Sequence, residues 1–284
     1  LVWKRLADGL AVARCEHCSL LLRLPATSRR EESQYAGIDE ARFRSSIGAV
    51  RTQQAIEIVR HAGNFVGRGR WLDVGAGFGW LAREARRQGF DVAGLEPDPR
   101  AAAAARTTSG SPIHEATFEH FAIPRESLDI LSTLDVFEHI APAELAPFAA
   151  KVRDVLRAGG IWLLKVPSTD GLLFQVAHRF LPLARPLLEP VVRRLWQHDE
   201  VSPHTVYFNI RSLSKFLASQ GFDVVAGGYL PELTASTAAD RLLAVGNEPP
   251  WRARLLAPLV GVAGLIERLR GRSDALFVIA RVAS

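Results

Sequence analysis

The chain has 284 residues, 48% of them hydrophobic and 23% charged, which suits one large or two small globular domains with a sizeable core. No run reaches the roughly 20 apolar residues of a membrane span, and no apolar core follows the basic start at Lys4-Arg5. Neither a spanning helix nor a secretory signal is therefore expected. Two cysteines imply no disulfide framework and fit a reducing, cytoplasmic setting. The net charge of +5, carried mostly by arginine, suits anionic partners, although an Arg- and Ala-rich composition alone produces the same balance. The chain has no methionine and begins at Leu1, so either a non-standard start or further upstream residues are expected.

In chain order, Arg14-Cys15-Glu16-His17-Cys18 is a C-x2-C knuckle followed by apolar Leu20-Leu21-Leu22. Residues 25–60 read as helices, with Tyr35 and Phe43 as candidates for a lid. From residue 70 the pattern alternates strand and helix, as a parallel α/β sheet does. Strands are expected at Arg70–Val74, Asp91–Leu95, Pro112–Glu115, Ser127–Ser132 and Ile161–Val166. Helices are expected at Gly79–Arg87, from Pro97-Asp98-Pro99 to Arg106, and from Pro142 to a stop at Gly159-Gly160. Leu172–Trp196 is apolar and Arg-studded, broken by Pro182, Pro186 and Pro190. A helix at Ile210–Ser219, a strand at Gly221–Gly227, an amphipathic helix at Trp251–Arg270 and a closing strand at Ala275–Val282 complete the chain.

Trp71-Leu72-Asp73-Val74-Gly75-Ala76-Gly77-Phe78-Gly79 is the most informative stretch. An apolar strand ends in an acid and turns through alternating glycines into a helix, which builds a nucleotide-sized crevice at the strand's carboxyl end. Glu96, closing the next strand before Pro97, is placed to accept from ribose hydroxyls. A dinucleotide loop has a third glycine where helix and strand pack, and that position here is Trp80. The run Asp73-x-Gly75-x-Gly77-x-Gly79 instead resembles motif I of the class I S-adenosylmethionine-dependent methyltransferases.

Four more segments resemble the same family in order. Asp129–Ile140 contains Leu134-Asp135-Val136-Phe137-Glu138-His139, similar to its fourth-strand motif. Leu156–Pro167 is similar to the segment leading into its fifth strand. His204-Thr205-Val206-Tyr207-Phe208-Asn209 with Gly221-Phe222, and the close at Asp274–Arg281, follow. The resemblance is to the subgroup holding ubiquinone-biosynthesis-type and secondary-metabolite enzymes. It implies a Rossmann-like seven-stranded sheet, parallel with one antiparallel strand and flanked by helices, here with a helical cap.

It further implies that S-adenosylmethionine is bound by Asp73, Val74, Gly75, Ala76, Gly77, Phe78, Gly79, Glu96 and Pro97. Asp73 would lie near its amino end, Thr117 and Phe118 near the adenine, and Leu134, Asp135 and Val136 alongside. Methyl transfer from a sulfonium needs alignment and removal of a proton from the acceptor. His139 and His204 are the candidate bases, since imidazole has a neutral form at physiological pH. Glu138 is placed to cap the helix after it.

No Asn/Asp-Pro-Pro-aromatic run follows the fourth strand, which argues against methylation of exocyclic base amines. Ribose 2′-O-methyltransferases use a lysine–aspartate–lysine–glutamate set. Asp135 and Lys165 occupy two plausible positions, and the sequence alone does not place the others. The knuckle resembles half of a zinc ribbon. Cys15 and Cys18 are then metal ligands awaiting two upstream partners, because a structural zinc needs four.

The expected organisation is a knuckle at 1–30, a helical lid at 31–69 and a methyltransferase domain at 70–284, with inserts at about 171–200 and 230–272. The Arg-flanked inserts pack as a substrate cap or lie in an anionic membrane interface. The expected function is methyl transfer to oxygen or carbon of a small-molecule or lipid- or sugar-linked acceptor. An RNA ribose methyltransferase or a non-catalytic cofactor-binding protein are the alternatives, with nucleic acid the weaker partner.

Overall fold

A computed structural model describes residues 2–7, 9–24, 40–232 and 250–283. Its centre is a seven-stranded sheet in the order β10(Phe222–Leu230), β11(Ala275–Val282), β8(Leu156–Pro167), β7(Leu128–Leu134), β4(Arg70–Val74), β5(Asp91–Leu95), β6(Ile113–His114). Strands β4 to β8 pair in parallel, and β11 runs antiparallel to both neighbours. The inner strands are buried on both faces, which is why they read as continuous apolar runs such as Ile161-Trp162-Leu163-Leu164. The buried indoles keep their N–H satisfied: Trp71 Nε1 donates to Ser132 Oγ at 2.9 Å, and Trp162 Nε1 to Thr133 Oγ1 at 3.0 Å.

Helices α1(Glu40–Gly63), α2(Trp80–Arg87), α3(Pro99–Ser109), α4(Leu145–Val155) and α7(Ile210–Ser219) flank this sheet. Helix α3 starts where Asp98 accepts from the backbone N–H of Arg100 and Ala101, both at 2.9 Å, with Pro99 at its first position. Trp80 opens α2 and lies against α1: a methyl group added at Gly48 would sit 3.5 Å from its ring. The bulky residue that excludes a dinucleotide loop thus serves as packing for α1.

Gly159-Gly160 do not stop α4, which ends at Val155. They form a bulge inside β8, whose pairing with β7 shifts from Leu128↔Leu156 to Ile130↔Ile161. The segment 172–196 is two helices, α5(Leu172–Phe180) and α6(Arg185–Leu195), parted around Pro182. Helix α8 spans Pro250–Arg270.

A second, antiparallel sheet has the order β1(Val2–Ala7), β2(Leu10–Arg14), β3(Leu21–Leu24), β9(Val206–Tyr207). Strand β9 pairs with β3 and so ties the amino-terminal strands to the main body. Leu6, Leu10 and Val12 of this sheet share a core with Phe174 and Leu181 of the α5 region and Val192 and Trp196 of the α6 region. The α5–α6 pair therefore packs on the second sheet by one face.

Candidate active site

Strands β4, β5 and β7 end together, and the sheet order reverses between β4 and β7, which places a crevice at their carboxyl ends. The loop after β4 is fixed by backbone bonds: Gly75 N and Ala76 N donate to Leu95 O at 2.8 and 2.9 Å. Gly75 has φ 73°, and a methyl group there would collide with Val136 Cγ2. Gly79, at φ 80°, lets the loop pass over α3, where a methyl group would meet the Ala105 carbonyl at 2.8 Å.

Glu96 is buried and accepts from Gly77 N at 2.8 Å through Oε2 and from Asp98 N at 3.0 Å through Oε1. It braces the glycine loop and the start of α3 at once, and each oxygen keeps a second lone pair for a ligand hydroxyl. Burial, above all, raises its carboxyl above the ordinary range. Asp73 is also buried and accepts from Ser132 Oγ at 2.7 Å. Burial raises its carboxyl to about 7, against the lowering effect of the Ser132 bond.

Val74, Ala76 and Phe78 are buried behind the loop, while Gly75 and Gly77 are partly open. Pro97 is exposed, Thr117 is half-buried with its hydroxyl 2.9 Å from His120 Nδ1, and Leu134, Asp135 and Val136 are partly open at the end of β7. Phe118 is a core residue, its ring 4.7 Å from Phe148 and 4.9 Å from Lys151 Nζ.

Asp135 has a left-handed backbone, φ 56°, uncommon for a residue with a side chain. Two cations hold it. Lys165 Nζ, buried at the end of β8, donates to Oδ1 and Oδ2 at 2.7 and 2.8 Å, and Arg51 of α1 stands 2.9 Å from Oδ2. Glu232, just past β10, closes the set at 3.6 Å from Lys165 and 3.4 Å from Arg51, and also accepts from Gln54 Nε2 at 2.7 Å. Arg51, Gln54 and Glu232 carried no sequence signal, since helix-surface polar residues meet a partner about 180 positions away.

Glu138 lies in a 3-10 turn, Phe137–His139, and is buried rather than capping α4, which starts at Leu145. Its Oε2 has no hydrogen-bond partner. Burial first, then the charge of Asp135, pushes its carboxyl well above the ordinary range. His139 and His204, 65 residues apart, are brought together with ring centroids 5.0 Å apart.

The Tyr207 hydroxyl donates to Leu195 O at 2.6 Å, so its oxygen accepts from His204 Nδ1 at 3.2 Å. His139 Nδ1 faces Pro203 O at 3.3 Å. In the neutral tautomer that donates from Nδ1 in each ring, Nε2 carries the lone pair. Ligand atoms of Glu138, His139 and His204 lie within 4.8 Å of one another, a set able to hold a proton or a divalent cation.

Cys15 and Cys18 are free thiols on the turn between β2 and β3, where Ser19 N donates to Cys15 O at 2.8 Å. No third metal ligand joins them among the described residues. Tyr35 and the Phe43 side chain lie outside the described part; of the segment expected as a lid, α1 brings Arg51 to Asp135 and Gln54 to Glu232.

The Methyltransferase domain family matches residues 14–226. The ubiquinone biosynthesis O-methyltransferase of Rhizobium rhizogenes is 28% identical over 163 residues, which are 55% of this chain and 61% of that protein. That of Rhizobium etli is 33% identical over 97 residues, 32% of this chain and 38% of that one. The chain thus spans under two thirds of the length of these relatives.

Among solved structures, a cyclopropane synthase from Mycobacterium tuberculosis covers 80% of this chain and 84% of its own, at TM-score 0.57 and 22% identity. The 1,6-didemethyltoxoflavin N1-methyltransferase of Burkholderia thailandensis, solved with S-adenosylhomocysteine, covers 100% of both chains at TM-score 0.53 and 15% identity. Their reactions differ, so they speak for the fold and not for the acceptor. The chain belongs to the methyltransferase domain family, and its seven-stranded sheet shares the fold of these neighbours.

Proposed function

We propose that the chain transfers a methyl group from S-adenosylmethionine to an oxygen, or less readily a carbon, of a small-molecule or lipid- or sugar-linked acceptor. The observation that carries this reading is the polar floor beside the glycine loop. Asp135, Lys165, Arg51 and Glu232 form one cluster, and Glu138, His139 and His204 a second within reach of its charges. Bound cofactor supplies an electrophilic methyl carbon on sulfur. The chain's own residues must align a hydroxyl with it and accept the hydroxyl proton. His139, half-buried and with its Nε2 lone pair turned from Pro203, is assigned as the base. Lys165 and Arg51 are placed to stabilise negative charge as it grows on the acceptor oxygen. The products are the methyl ether, S-adenosylhomocysteine and a proton held by the enzyme. The ubiquinone-type relatives, named for O-methylation, support oxygen as the acceptor atom.

A ribose hydroxyl remains the second reading, because Arg51 and Glu232 complete a cation–acid–cation–acid set around Asp135 and Lys165. Here an arginine stands where a lysine would, and a guanidinium donates but does not act as a base.

The test is calorimetric titration with S-adenosylhomocysteine, followed by transfer of labelled methyl to phenols, catechols, prenylated phenols and RNA. Binding lost in Glu96→Ala, and transfer to a hydroxylated small molecule lost in His139→Ala, are expected. Transfer to RNA alone would favour the second reading. Binding without transfer to any of these would favour a non-catalytic protein.

A further inference from the structure

The face of α5 and α6 that packs on the second sheet accounts for only part of their apolar surface. Val176 and Phe180 lie on the outer side of α5 and are exposed, followed by Leu183 at 80% and Leu187 at 73% exposure. Helix α8 repeats this: Leu259, Val262, Leu265 and Leu269 recur at helical spacing, and all are exposed, Leu269 at 79%. A single exposed leucine means little, but two neighbouring helices with apolar outer stripes mark an interaction surface.

The two helices are joined where α5 begins and α8 ends. Leu172 N donates to Glu267 Oε1 at 2.9 Å, and Arg270 donates to Gln175 at 2.8 Å. Charge selects the partner. Arg179 of α5, Arg268 and Arg270 of α8, and Arg272 just after it are all exposed. The one acid among the described side chains of α5 and α8, Glu267, is 3% exposed and turned inward to Leu172. On α6 the one acid, Glu189, is paired with Arg185 at 3.0 Å, and Arg193 and Arg194 follow it. An apolar strip flanked by arginines in excess of acids is complementary to an anionic lipid surface. No helix among the described residues is long and apolar enough to cross a membrane, so the contact is interfacial.

Topology sets where this surface lies relative to the site. Parallel β8 ends at Pro167, beside the crevice, and leads through Ser168 and Gly171 directly into α5. Antiparallel β11 starts opposite it, Ala275 pairing Pro167, so the end of α8 reaches the same edge of the sheet. We propose that the outer stripes of α5, α6 and α8 dock on the surface of an anionic phospholipid bilayer, with the acceptor side of the crevice at that surface. Docking stands on the surface chemistry alone. Delivery of a lipid-linked acceptor rests in addition on the function proposed above.

The experiment is co-sedimentation of the full chain with phosphatidylcholine vesicles, with and without about one third phosphatidylglycerol, at low and high salt. Binding to the anionic vesicles at low salt, weakened about tenfold or more by high salt or by omitting the anionic lipid, is expected. Leu183→Gln with Leu187→Gln, and Leu265→Gln with Leu269→Gln, are each expected to weaken it about tenfold. S-adenosylhomocysteine binding, measured on the same preparations, should stay unchanged, because these side chains are exposed and belong to none of the elements that form the glycine loop. Failure to sediment with anionic vesicles at low salt would overturn the proposal. So would binding that ignores the leucine substitutions. A dimer that these substitutions convert to a vesicle-indifferent monomer would assign the stripes to a second copy instead. None of these outcomes touches the cofactor titration, so docking and methyl transfer fail independently.

Discussion

The two halves of the crevice are built in different ways. On the cofactor side, β4, the glycine loop, β5 and the start of α3 lie within about 30 consecutive residues, and backbone amides do most of the work. On the acceptor side, charged and imidazole groups come from α1, β7, β8, the stretch before β9 and the end of β10, spread from Arg51 to Glu232. The first half is a preformed cradle that tolerates almost no change in shape. The second is an electrostatic assembly that exists only when five elements are docked, and its contents can vary while the fold persists.

The largest effects should fall on the cradle. Gly75→Val has to displace Val136 and hold a left-handed backbone, and is expected to reduce S-adenosylhomocysteine affinity by more than about a hundredfold. Glu96→Ala frees the amides of Gly77 and Asp98 and is expected to cost about as much, by calorimetry. If either variant bound cofactor normally, the cradle would be less strict than its geometry implies.

On the acceptor side, Lys165→Met leaves Asp135 with Arg51 as its one remaining cation in this set, and removes a donor near the acceptor oxygen. A fall in kcat of about a hundredfold with cofactor affinity nearly unchanged is expected. His139→Ala should lower kcat on a similar scale, about a hundredfold, and equally with and without added magnesium. A loss seen only when the cation is present would assign His139 to a metal rather than to proton transfer.

Asp73 gives a pH test of the cradle's core. Its carboxyl is raised by burial to about 7 from an ordinary 3.8, so the folded chain holds this proton more tightly than the unfolded one. Its contribution to stability is therefore full at low pH, declines as pH rises from about 4 to about 7, and is flat above. The whole effect is at most about 4 kcal/mol. Asp73→Asn should remove that decline, visible as a change with pH in the difference between wild-type and variant unfolding free energies.

The smallest effect is on scaffold alone. Asn209 caps α7 by accepting from Ser212 N at 2.8 Å, and Asn209→Ala should cost about 1 kcal/mol in denaturant unfolding without altering cofactor affinity.

The local features were legible in the chain. β4, β5 and β11 fall where their apolar runs predict, and Asp73, the three glycines and Glu96 declare a crevice through spacing alone, because backbone geometry over a short stretch leaves few options. Helix α4 and β8 show the limit of punctuation. Gly159-Gly160 look like a helix stop, yet strand pairing with β7 wins and turns them into a bulge. Glu138, placed as a cap by local logic, is buried beside His139 and His204 by docking of the segment before β9.

What the sequence determined by itself is therefore the sheet, the cofactor loop and the chemistry available at the end of β7. Only the tertiary structure decided that Arg51 and Glu232 meet Lys165, that β9 joins the amino-terminal hairpin, and that α5 and α8 face their leucines outward. The physical reason is range. Turn, strand and helix preferences are set by neighbours a few residues apart, whereas a charge pair or an exposed stripe is set by which surfaces remain after every element has packed.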